Sequence, residues 1–208
     1  SSFRCEALIV STGTEYRKLG VPGEKEFTGR GVSFCSTCDG AFFQDRKIVV
    51  VGGGDSALTE ALFLTKFVNE LTIIHRREAL RATKIYQERA MANPKIKFVW
   101  NSVIQEIKGD SVVRSVVVKN VKTGETKELE TDGAFLFIGL VPRTQFLKGL
   151  VQMDDAGYVI TNANCETSVK GIFAAGDCRK QLLRQITTAV GDGATAAFAV
   201  EKYLEEKD

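Results

Sequence analysis

The sequence predicts an α/β fold organised on a parallel sheet, and three observations carry that prediction. A β-branched run, Lys47-Ile48-Val49-Val50-Val51, passes without a gap into Gly52-Gly53-Gly54-Asp55-Ser56-Ala57. Apolar residues at helical spacing follow at Leu58, Ala61, Leu62 and Phe67. A second strand, Leu71-Thr72-Ile73-Ile74, then completes a βαβ unit, whose crossover should be right-handed.

The other elements follow in order. Residues 6–13 form a short apolar run ending at Gly13, as expected of a buried strand entering a loop, and a loop rich in Gly and Pro continues through Gly31. Beyond the βαβ unit, a helix is expected near 79–92, stopped by Asn93-Pro94, then a strand near 97–100. Alternating strands cover 103–130 with a turn at Lys122-Thr123-Gly124, and a buried strand at 134–138 is closed by Gly139. The last third holds a strand at 171–175, the pair Gly176-Asp177, and an Ala-rich helix from about 185 to 204.

Composition narrows the function. With 208 residues, 44% hydrophobic and 26% charged, the chain can bury a real core as one or two domains. A net charge of +2 is too small for the field that nucleic-acid binding needs, so no nucleic-acid partner is expected. The longest apolar run, 134–141, is far short of the roughly 20 residues of a membrane helix, so no membrane partner is expected either. The first residues lack the charged and then apolar profile of a signal peptide, which makes the cytoplasm the expected location.

Five cysteines, three of them isolated, argue against a secreted disulfide framework. Cys35-Ser36-Thr37-Cys38 has the C-x-x-C spacing of a redox dithiol or half a zinc site. Zinc needs four ligands, and the chain has no second C-x-x-C and one histidine, His75, so a redox dithiol is expected and no metal. Asp39, next to Cys38, can carry the proton that thiol-disulfide exchange moves; a turn-forming role before Gly40 fits the spacing equally well.

Gly52-Gly53-Gly54-Asp55-Ser56-Ala57 matches G-x-G-x-x-G/A in the required setting, strand before and helix after. Gly52 permits the tight turn, Gly54 lets the backbone approach a pyrophosphate, and Ala57 allows close helix packing. The helix from Asp55 and Ser56 would aim its free N–H groups at the phosphates. About 20 residues on, where NAD binders place a carboxylate, this chain has His75-Arg76-Arg77 with Arg81 one turn further. Two guanidiniums can grip a 2′-phosphate, so NADPH is expected over NADH, with His75 as a supporting contact.

Taken together, Cys35-Ser36-Thr37-Cys38-Asp39-Gly40, the glycine fingerprint, His75-Arg76-Arg77 with Arg81, Gly171 to Asp177, and Arg184-Gln185 with Ala189 and Gly191 closely resemble the low-molecular-weight thioredoxin reductases. The resemblance runs through essentially the whole chain. It implies a Rossmann-like three-layer NADPH-binding domain (34–138) inserted in an FAD-binding domain of the same type (1–33 and 139–208). That FAD domain is expected to be incomplete, because the sequence holds a single glycine fingerprint where the family has two.

The implied activity passes electrons from NADPH through FAD to the dithiol and on to thioredoxin or a thioredoxin-like protein, in a homodimer. Cys38 would face the flavin, Cys35 would attack the substrate disulfide, and Asp39 would be the acid/base. Thr12, Gly13, Gly176, Asp177, Arg184, Gln185 and Ile186 would line the FAD site, and the insert would swing on hinges near Gly31 and Gly139. Two other readings share these motifs: the flavoprotein of a peroxide-reducing system, and a flavin-free NADPH-binding module.

Overall fold

β-branched runs bounded by glycine set the strands, and the helices fill the stretches with an apolar stripe. The computed structural model describes residues 2–206. The strands are β1 (Leu8–Val10), β2 (Thr14–Tyr16), β3 (Val32–Ser33), β4 (Lys47–Val51), β5 (Glu70–Ile74), β6 (Ile96–Val99), β7 (Ser102–Gly109), β8 (Val113–Asn120), β9 (Thr126–Glu130), β10 (Gly133–Leu136), β11 (Leu140–Pro142) and β12 (Ile172–Ala174). The helices are α1 (Ser36–Asp39), α2 (Asp55–Leu64), α3 (Lys84–Met91) and α4 (Ile186–Glu205). They divide into two units, Ser1–Arg17 with Leu140–Asp208, and Lys18–Gly139.

The unit 18–139 is a three-layer α/β sandwich. Its central sheet is wholly parallel, in the order β3-β10-β4-β5-β6. One face, through Ile48, Val50, Leu71, Ile73 and Phe135, packs on Ala57, Leu58, Ala61 and Leu64 of α2. The other face, through Val49, Val51, Ile74 and Leu136, packs on Ile104, Ile107, Val113, Val116 and Val118 of the antiparallel sheet β7-β8-β9. Coverage on both faces is why β4 reads as a continuous apolar run instead of alternating. Fully burying a side chain such as Leu58 or Leu64 contributes about 1.5–3 kcal/mol.

The other unit pairs β1 with β12 in parallel and β2 with β11 antiparallel. Val10, Leu147, Val151, Val159, Ala174 and Cys178 form its main core. The turn after β12 leads into α4.

Three expectations change. Residues 18–33, assigned from sequence to the first unit, pack in the second: Phe27 and Val32 join its core and β3 pairs with β10. The hinge expected near Gly31 falls inside that unit. A Cβ there would lie 2.6 Å from Val113 Cγ2, and its carbonyl accepts from the Ala134 N–H, so the chain crosses between units at 17–18 and 139–140. The helix expected from 79 begins at Lys84, because the Arg81 and Ala82 N–H groups donate to the Gly53 carbonyl and the Thr83 N–H to Asp55 Oδ1. Those bonds hold 76–83 against the glycine turn as a loop.

Candidate functional site

Cys35 and Cys38 are joined by a disulfide. Cys35 caps the short helix α1, with its Sγ accepting from the Cys38 N–H at 3.2 Å. Cys38 is exposed and Cys35 half-buried. Asp39 ends that helix and makes no side-chain cap bond to the 3-10 turn Gly40–Phe43 that follows. Its Oδ2 instead accepts from the hydroxyl of buried Ser33 at 2.6 Å, and Ser33 Oγ in turn accepts from the Cys35 N–H at 3.1 Å. Disulfide, carboxylate and hydroxyl thus form one connected group. Beside it lies a cavity of about 380 Å³ lined by Arg30, Ser33, Asp39, Phe42 and Arg46 among others, with Phe42 82% exposed.

In the same unit the glycine turn is closely packed on one side and open on the other. Gly52 has φ +151, and a Cβ there would lie 2.6 Å from both Ala57 Cβ and the Phe137 carbonyl, so strand and helix touch through the missing side chain. A Cβ on Gly53 would strike the His75 ring at 2.3 Å. A Cβ on Gly54 would meet nothing within 4 Å, which leaves open room over the turn for a ligand. No side chain caps the N-terminus of α2, so its first N–H groups face that space. Ser56 is exposed there, whereas Asp55 uses Oδ1 to hold the Thr83 N–H at 2.8 Å.

Arg76, Arg77 and Arg81 are all exposed on the loop tied to Gly53, and none belongs to an ion pair among the described residues. Nearby Glu78 is engaged by Lys122, which holds its carboxyl below the usual range and keeps it from those guanidiniums. His75 is 5% exposed and bonds the Ala79 carbonyl through Nε2 at 3.1 Å. Burial lowers its pKa below the ordinary 6.5, and the three arginines lower it further, against the raising effect of the Ala79 bond. A neutral His75 with Nε2–H donating is therefore a brace for the turn. The donor set, the open cradle and the free cations fit a phosphorylated dinucleotide.

In the other unit, Asp177 follows Gly176, which has φ +74. Asp177 Oδ1 is buried with no hydrogen-bond partner, and burial pushes its carboxyl pKa up. An orphaned buried acceptor is costly and fits a ligand hydroxyl, as the ribityl chain of FAD would supply. Arg184 stacks 4.0 Å above the Tyr158 ring and donates from Nε to the Asp177 carbonyl at 3.4 Å. Gln185 and Thr188 form a reciprocal cap on α4, so the Gln185 side chain is committed to the helix, and Ile186 stands exposed beside it. Thr12 Oγ1 donates to the Arg143 carbonyl at 2.6 Å, and Gly13 takes φ +67 with open space where its Cβ would be.

Sequence reasoning missed Ser33, Arg30, Phe42 and the cavity they share with Asp39. Two consecutive phenylalanines directly after the dithiol, Phe42-Phe43, were the available signal.

Residues 1–193 match the family model described as pyridine nucleotide-disulphide oxidoreductase. A thioredoxin reductase of Peptoclostridium acidaminophilum is 52% identical over 99% of this chain and 67% of its own length. That of Bacillus subtilis is 49% identical over 98% of this chain and 65% of its own. The crystal structure of thioredoxin reductase from Streptococcus pyogenes superposes with a TM-score of 0.92 at 51% identity, over 96% of this chain and 66% of that one. The chain spans about two thirds of the length of these relatives. It belongs to the pyridine nucleotide-disulphide oxidoreductases, and the relatives named above, matched over nearly its full span, are thioredoxin reductases.

Proposed function

We propose that the protein carrying this chain is an NADPH-dependent thioredoxin reductase that works in the cytoplasm as a homodimer. The observation that carries this reading is the Cys35–Cys38 disulfide bonded into the Ser33–Asp39 pair, in the same unit as the glycine turn and its three free arginines. The turn and the N-terminus of α2 hold the pyrophosphate, and Arg76, Arg77 and Arg81 hold the 2′-phosphate. Asp177, Gly176, Arg184 and Ile186, with Thr12 and Gly13, hold FAD, which supplies a two-electron carrier between nicotinamide and sulfur when bound. Exposed Phe42 offers apolar surface beside the disulfide for a protein substrate.

Once the pair is reduced, Cys35 gives its proton to solvent and its thiolate attacks one sulfur of the thioredoxin disulfide, forming a mixed disulfide. The second thioredoxin sulfur leaves and takes a proton from Asp39 in its acid form. Cys38 then gives its proton to Asp39 and displaces thioredoxin from Cys35. The Cys35–Cys38 disulfide is restored, and the remaining thioredoxin sulfur is protonated from solvent. No helix among the described residues is long and apolar enough to cross a membrane.

Changing Cys35 or Cys38 to Ser tests the reading. Each variant of the full-length flavin-loaded protein should lose thioredoxin reduction by more than about 1,000-fold, while NADPH still bleaches its absorbance near about 450 nm. Thioredoxin reduction surviving in either variant would overturn the dithiol assignment.

A further inference from the structure

Ser33 is placed where a single hydroxyl touches both parts of the exchange machinery. It is 4% exposed, at the end of β3, one residue before the loop that enters α1. Its oxygen has three neighbours: Asp39 Oδ2 at 2.6 Å, the Cys35 N–H at 3.1 Å, and the Cys35 carbonyl at 3.4 Å. A hydroxyl has one hydrogen and two lone pairs, so it cannot donate to both the carboxylate and the carbonyl at once. The Cys35 N–H occupies one lone pair in either case. What remains is one hydrogen with two possible acceptors, and one free lone pair.

We propose that Ser33 is a positioning residue that keeps Asp39 hydrogen-bonded in both its charged and its neutral form. When Asp39 is a carboxylate, the Ser33 hydroxyl donates to Oδ2, a short charge-assisted bond. When Asp39 is a carboxylic acid, its O–H donates to Ser33 Oγ and the serine hydrogen turns to the Cys35 carbonyl. The proton is gained from a thiol and lost to a leaving thiolate, while the carboxyl group stays in place. No bond other than the rotating O–H changes partner. The inference rests on the reading of Asp39 as the acid/base.

Other charges face the same cavity from neighbouring elements: Arg30 before β3, Arg46 before β4, Arg114 on β8 and Asp132 before β10. Arg46 pairs with Asp132 at 3.6 Å and Arg114 with Asp110 at 3.4 Å. Their fields act on Asp39 in every Ser33 variant, so a comparison between variants isolates the hydroxyl.

The test uses Ser33→Ala, with Ser33→Thr as the hydroxyl-retaining control and thermal melts to confirm folding. In the full-length flavin-loaded protein, loss of the hydroxyl in S33A should lower the rate of oxidised thioredoxin reduction near neutral pH by about 10-fold and alter the shape of its pH profile, with return toward wild type in S33T. An S33A rate and pH profile equal to wild type, while D39N is strongly impaired, would overturn the Ser33 proposal and leave the Asp39 reading standing. A D39N protein as fast as wild type would overturn both. In D39N the amide can donate to Ser33 Oγ as the neutral acid does, so that control should keep its fold.

Discussion

In the proposed reading Arg76 and Arg77 set the cofactor choice: they are exposed, in no ion pair among the described residues, and tied to the glycine turn through the Arg81 and Ala82 N–H groups. Replacing both with Gln should weaken NADPH binding by about 10- to 100-fold and NADH binding by less than about threefold, measured by fluorescence titration. Equal losses for the two nucleotides would dismiss the 2′-phosphate assignment. His75 leaves a second signature. Its pKa is lowered in the fold, so the unfolded chain binds the proton more readily. Its contribution to stability is complete above the ordinary 6.5 and is lost as pH falls below that value. Denaturant titrations at pH 7.5 and 5 should therefore show a smaller acid loss in His75→Asn than in wild type. These residues could be proposed from sequence because the motifs that hold them are local. Ser33 could not: serine is common, and its bond to Asp39 exists only because the chain folds back over six residues.

At the scale of elements, the β4–Gly52–α2 junction decides whether the nucleotide half holds together. Gly52→Ala places a methyl against Ala57 Cβ and the Phe137 carbonyl at a φ that L-residues avoid, and should cost about 2–4 kcal/mol in urea denaturation. Gly54→Ala meets open space and should change stability by less than about 1 kcal/mol, yet weaken NADPH binding about 10-fold or more, because the methyl occupies the room over the turn. A Gly52→Ala protein of unchanged stability would refute the close-packing argument. The βαβ unit was readable because β-branching and helical spacing both persist for several residues. The start of α3 was not, since Leu80 and Ala82 continue an apolar spacing that looks helical, and only the bonds to Gly53 and Asp55 override it. The pair β2–β11, three residues each, was too short to leave any period.

For the whole molecule, composition and motif order identified the architecture, but not where the chain passes from one unit to the other. Glycine richness pointed to Gly31. Gly31 lies inside the unit 18–139, where a Cβ would lie 2.6 Å from Val113 Cγ2. The unit 18–139 carries the nucleotide turn and the dithiol together, while the orphaned Asp177 oxygen lies in the other unit. Under the proposed function this division would separate two roles, nucleotide and thiols in one unit and flavin contacts in the other. Cys165 and Cys178 are both buried in the latter unit, with pKa values raised by burial, and the proposed electron path does not use them.

The most direct test of that path is thiol mapping after reduction. The full-length, flavin-loaded protein is treated anaerobically with NADPH, alkylated under native conditions, and digested for peptide mass spectrometry, with and without oxidised thioredoxin. The account predicts that NADPH makes Cys35 and Cys38 newly alkylatable, that Cys165 and Cys178 are unchanged, and that thioredoxin returns the pair to its protected state. Alkylation of Cys35 and Cys38 that does not depend on NADPH, or that thioredoxin leaves untouched, would contradict it.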